Sequence, residues 1–132
     1  MSASNYLELA LLDHLTNVAA FTPPGTFYVG LHTANPGETG ATGEVATGSY
    51  ARKDVPAAGT DWNAAASGLA DNINAIQFVQ ATANWGTITH FSIWDAVSGG
   101  NCLLYGALAA SKVVNSGDYF EFAAGALDIT CD

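Results

Sequence analysis

Beyond residue 21, turn-forming residues interrupt this chain so often that no long helix has room to form. Pro23-Pro24-Gly25 opens the series, and Ser98-Gly99-Gly100-Asn101, Asn115-Ser116-Gly117-Asp118 and Gly125 continue it. Between them lie short runs rich in β-branched and aromatic residues, a composition that suits a pleated surface. The clearest run is 26–33, where Phe27, Val29 and Leu31 alternate with Tyr28, Gly30 and His32. That period of two marks a strand with two unlike faces. Further strands are expected at 50–55, 73–79, 87–95, 102–108, 118–123 and 126–131, with Phe91, Ile93, Phe120, Phe122, Leu127 and Ile129 pointing inward. The stretch 57–69 reads as a loop. Short strands at near-regular spacing, joined by tight turns, pair locally in antiparallel fashion. The expected fold is mainly β: an antiparallel β-sandwich or jelly-roll-like domain with one short N-terminal helix.

That helix precedes the stiff Pro-Pro joint. Leu7, Ala10, Leu11, His14, Leu15 and Val18 recur at helical spacing, and Asn5 stands three residues before Glu8 in the manner of a capping box. The pattern predicts a helix over about 5–17, within an N-terminal arm of about 1–20. With 132 residues, no internal repeat and no break in composition, residues 1–132 read as one β-sandwich domain built on one core. From 35 to 49 the composition turns to Pro, Gly, Thr and Glu with Val45 as the one bulky apolar residue, which reads as a long surface loop.

Charge excludes several classes of partner. Only Arg52, Lys53 and Lys112 are basic, against twelve acids, for a formal charge of −9. Such a field repels phosphate backbones and anionic lipid headgroups, so neither nucleic acid nor membrane is an expected partner. No apolar run reaches the roughly 18 residues that a bilayer crossing needs. The N-terminus lacks a basic start, and Glu8, Asp13 and His14 interrupt the apolar residues that follow. A secretory signal is therefore not supported, and synthesis in a cytoplasm is expected. In that reducing setting Cys102 and Cys131 read as two buried thiols.

Signals for chemistry are weak throughout. His14, His32 and His90 have no Cys, His or carboxylate at a metal-ligand spacing. The Gly-rich stretch 37–44 lacks the closing Gly-Lys-Ser/Thr of a phosphate loop and is acidic, so it reads as a flexible contact arm. There is no Gly-x-Ser-x-Gly elbow, and Ser92 beside His90 has no evident third partner. Asp, Asn and Gly at 95–101 and 115–118 fit turns and not an EF-hand. No catalytic residue, cofactor or metal is expected. Trp62 and Trp85 sit in Gly/Asn-rich settings and are candidates for exposed contact, including stacking on sugar rings.

Ser4-Asn5-Tyr6-Leu7-Glu8 ahead of a short helix, then Tyr28-Val29-Gly30-Leu31-His32-Thr33-Ala34-Asn35-Pro36-Gly37-Glu38, resemble a group of small tailed-phage virion proteins. Tyr50-Ala51-Arg52, Trp85-Gly86, Asp95-Ala96, Leu104-Tyr105-Gly106-Ala107-Leu108 and Gly125-Ala126-Leu127 extend the resemblance over most of the chain. It implies a minor capsid, cement or decoration protein. Such a subunit bridges the major capsid protein on the virion surface, commonly as a homotrimer. The tail-fibre label often attached to the group gives the alternative, a fibre or tail-tip component that binds a host receptor or glycan. The contacts expected with neighbouring subunits or the shell are Tyr6, Leu7 and Leu11 of the helix, which reads equally as a cap on one sheet, Pro36, Glu38 and Glu44 of the loop, and Trp62 and Trp85. Arg52 and Lys53 are read as surface cations, solvated or paired with acids across a subunit interface.

Overall fold

A computed structural model describes residues 1–130. Cys131, and with it the end of the strand expected at 126–131, lies outside the described residues. The elements in chain order are β1 (Ser2–Ala3), α1 (Asn5–Leu15), β2 (Thr26–His32), β3 (Lys53–Pro56), β4 (Leu69–Asp71), β5 (Ile76–Gln77), β6 (Gly86–Trp94), β7 (Cys102–Val114), β8 (Glu121–Phe122) and β9 (Asp128–Thr130). All pairings are antiparallel. One sheet has the order β1-β7-β6-β2-β3, and two short ladders, β4-β9 and β5-β8, supply the other layer. The chain is therefore the mainly β, antiparallel sandwich with one N-terminal helix that its turns and alternation predict.

Alternation sets which side chains enter the core. Val29 pairs with Ile93 and Leu31 with Phe91 across β2 and β6, and Ile93 pairs in turn with Leu104 on β7. These face Ile76, Phe78, Phe120, Phe122 and Leu127 from the second layer. Edge-to-face ring pairs run through this core, with centroids 5.1 Å apart for Phe120–Phe122 and 5.8 Å for Phe78–Phe120. Phe91, Ile93, Phe120, Phe122 and Leu127 are buried as expected, and Ile129 packs against the cluster half-buried. Buried Asn72 braces the second layer by donating to Asn74 O and Ala123 O and accepting from Leu127 N–H.

Several boundaries differ from expectation. The strands expected at 73–79 and 118–123 shrink to two residues each, because Phe78 and Phe120 continue the pairing through a single loop hydrogen bond, Phe78 N–H to Phe120 O. The strand expected at 102–108 instead reaches Val114. His90 opposes Ala107 while Ile88 opposes Lys112, so β7 spends five residues where β6 spends two. That bulge carries the strand past a stretch whose alternation it erases. β1 and β4 are too short to leave a periodic signal.

The helix is two residues shorter than expected, and its cap is Ser4 in place of Asn5. Ser4 Oγ accepts from Leu7 N–H while the Ser4 hydroxyl donates to Cys102 O, and Ser4 N–H donates to Leu103 O. One buried side chain thus caps the helix and fastens it to β7. At the other end Asn17 takes a left-handed backbone (φ 61°) and the Val18 N–H reaches back to Asp13 O, a Schellman closure. No α1 residue is buried, and no helix of the described residues is long and apolar enough to cross a membrane.

Candidate functional site

The large sheet has a second face, and the segment 35–49 covers it. On that face Gly30 pairs with Ser92, and Trp94 with both Tyr28 and Cys102. The Gly43 and Leu31 carbonyls accept from Thr33 and Val45 N–H, which lays the segment beside β2. Gly40 sits against the Trp94 indole with a left-handed backbone (φ 69°), where a Cβ would clash with the ring. Pro36 and Val45 are buried. The segment read as a flexible contact arm is a fitted cover, held by glycine contact, backbone bonds and an ion pair in place of bulky side chains.

The ion pair joins Arg52 and Glu44. Arg52 Nε donates to Glu44 Oε1 at 2.7 Å and Nη2 to Oε2 at 2.8 Å, a bidentate fork. Its Nη1 also donates to Ala96 O and Gly99 O in the β6–β7 turn, and the guanidinium lies 3.5 Å from the Trp94 ring centre. Tyr50 adds a third tie, donating to Glu44 Oε1 and accepting from Leu31 N–H; burial pushes its hydroxyl well above the ordinary tyrosine range. The expectation of Arg52 as a surface cation is therefore corrected: its side chain is 7% exposed and its acid lies in the same chain. Lys53 pairs with the neighbouring Asp54, whose carboxyl that bond lowers, and Lys112 lies over the Phe120 ring.

Beneath the cover a buried relay runs Trp94 Nε1–H to Ser92 Oγ (2.6 Å), Ser92 hydroxyl to His32 Nε2 (2.7 Å), and His32 Nδ1–H to Thr42 O (2.8 Å). Every donor in it has one acceptor, which fixes the tautomer. Desolvation lowers the His32 pKa and keeps the ring neutral. The Ser–His contact resembles a nucleophile and its base, but His32 and Ser92 are both fully buried and the histidine's remaining nitrogen faces a backbone carbonyl. The relay holds the cover down. The sequence names Ser92 beside His90, whereas its partner is His32, sixty residues away on the next strand. Among the described residues no group of three or more His, Cys, Asp and Glu could hold a metal ion.

The remaining expected contacts divide clearly. Trp85 is 4% exposed, packs edge-to-face on Tyr50, and donates its indole N–H to Gly48 O, so it is a core residue and not an exposed platform. Trp62 is half-buried, packs on Phe27 at 5.8 Å and donates to Pro56 O. Pro36 is buried, Glu38 is exposed and accepts from the Tyr105 hydroxyl, and Glu44 is committed to Arg52. Leu7 and Leu11 line a cleft with Ala3, Leu104 and Thr130 and so seat the helix. The outward face belongs to Tyr6, Leu9, Leu12 and Leu15, with Leu15 80% exposed, and to Val18 just past the cap. Covering three such leucines would recover on the order of 1 to 2 kcal/mol each.

The geometry is thus a sandwich with a sealed polar relay, a clamped cover and a helix whose leucines face outward. The chain belongs to the family described as podophage GP4 fiber I protein gp80, which matches it over residues 2–130. It is thus a member of a phage virion protein family, in keeping with the sequence resemblance, and the description names a fibre and not a capsid. No curated protein matches the chain.

Proposed function

We propose that the chain is a structural subunit of a phage fibre assembly, acting by contact with neighbouring polypeptides and not by catalysis. The family description is the observation that carries this reading, and it moves the capsid-cement reading to second place. The surface agrees: Tyr6, Leu9, Leu12 and Leu15 of α1 and Val18 just past it are exposed on one segment, while Ile73, Val79, Val97, Val113 and Tyr119 are exposed elsewhere, and the α1 group suits a subunit that meets a neighbour. Direct glycan stacking through Trp62 and Trp85 loses its support, because one ring is half-covered and the other lies in the core. The role that fits a compact sandwich with an exposed helix face is a mount or adaptor within the fibre. Quantitative mass spectrometry of purified virions tests this. The expected copy number is a small multiple of the tail symmetry; a count near that of the major shell protein would return the cement reading to first place.

A further inference from the structure

We infer that the outward face of α1 is a docking site for an amphipathic segment of another virion polypeptide, one whose apolar stripe is flanked by Lys or Arg. The face combines shape and charge. Tyr6, Leu9 and Ala10 form one wall of a groove of about 360 Å³, and the returning segment with Ala19, Ala20 and Phe21 forms the other. The Phe21 N–H donates to His14 Nδ1, which fixes the return path and keeps the groove open. Leu9, Leu12 and Leu15, three apart along the helix, continue the apolar surface beyond it. Ridges of this spacing take the i, i+3, i+4 anchors of a second helix.

Charge selects the occupant. Asp13 lies in the groove wall, exposed Glu8 of α1 borders the Leu7–Leu11 cleft, and residues 1–51 contain no Lys or Arg. All three cations of the chain are engaged elsewhere: Arg52 by Glu44, Lys53 by Asp54, and Lys112 over Phe120. A second copy seated on this face would bring acid against acid with no cation to offset it, between bodies of formal charge −9. A basic-flanked helix meets both the leucines and the carboxylates. The inference rests on the fibre reading only in calling the partner a virion polypeptide; the chemistry of the face is measured on the isolated chain.

The test uses the full chain and two synthetic peptides with the same leucine stripe, one flanked by Lys and the other by Glu, read by fluorescence anisotropy. The Lys peptide is expected to bind at least tenfold more tightly than the Glu peptide and to weaken as salt is raised. Leu9→Ser with Leu12→Ser, both at exposed positions, should cut its binding at least tenfold without moving the urea midpoint. Glu8→Gln with Asp13→Asn should narrow the gap between the two peptides at least threefold. Equal binding of both peptides to the unaltered chain, or binding of neither, would overturn the inference. So would light scattering that shows an oligomer dissolved by the leucine substitutions, which would give the face to a second copy.

Discussion

Replacing Arg52 with Met keeps most of the side chain's apolar volume and removes the guanidinium that joins three parts of the fold. Glu44, 23% exposed, then keeps only the Tyr50 hydroxyl, and the Ala96 and Gly99 carbonyls lose their donor. Breaking a buried pair from one side costs about 3 to 5 kcal/mol, and the partial access of Glu44 to water places this case near the lower end, at about 3 kcal/mol. For a domain of this size that is a fall in Tm of about 10 °C. Urea unfolding should show a lower midpoint at unchanged slope. Adding Glu44→Gln should restore about 1 to 2 kcal/mol, because the stranded charge is gone. Hydrogen exchange supplies the local readout: the Thr33 and Val45 amides, which bond to Gly43 O and Leu31 O, should lose protection while the β6–β7 ladder keeps it. A single-variant cost below about 1 kcal/mol with additive double-variant behaviour would mean that the pair acts as a surface salt bridge and that the cover is held by something else.

Three further outcomes follow from the same geometry. The neutral His32 gives a pH dependence: with its pKa lowered in the folded state, the unfolded chain takes up the proton first. Stability should therefore be full above the ordinary imidazole value of about 6.5 and fall as pH drops below it, until the folded value is passed. His32→Phe should be less stable throughout, and its pH slope in urea midpoints should be shallower; an unchanged slope would remove His32 as the source. Gly40→Ala should cost more than 2 kcal/mol by thermal melt, since a left-handed backbone adds about 1 to 2 kcal/mol to the clash with Trp94, whereas Gly37→Ala, with open space around it, should cost only the backbone part. Trp85→Ala should cost about 3 to 5 kcal/mol and Trp62→Ala distinctly less in chemical denaturation, and equal losses would contradict their different burial.

Period-two alternation made the sheet legible. Phe27, Val29 and Leu31 against Gly30 and His32 announce β2, and Phe91 and Ile93 announce β6, because burial of one face imposes a period of two. The segment 35–49 is the surface loop its composition suggests, yet it is pinned to the sheet through buried Pro36, Gly40 and Val45 and the Glu44 carboxylate, of which only Val45 registers as core by hydropathy. Trp85 misleads, since Asn84 and Gly86 beside it look like loop while its indole fills the core. The Arg52–Glu44 fork was half visible: a chain with three cations makes each one suspect, but the partner's identity depends on how the segment folds back over Trp94. On α1 the periodicity predicts the helix but leaves open which side packs on the sheet. Leu7 and Leu11 seat it through the Ser4 anchor, which leaves Leu9, Leu12 and Leu15 outward.

Electron cryomicroscopy of the intact particle, at a resolution that separates strands, measures the central claim directly. The account places this sandwich within a fibre at the tail, with Leu9, Leu12 and Leu15 of α1 buried against a different polypeptide. Density for the same fold spread across the icosahedral shell, or a helix left facing solvent in every copy, would contradict it.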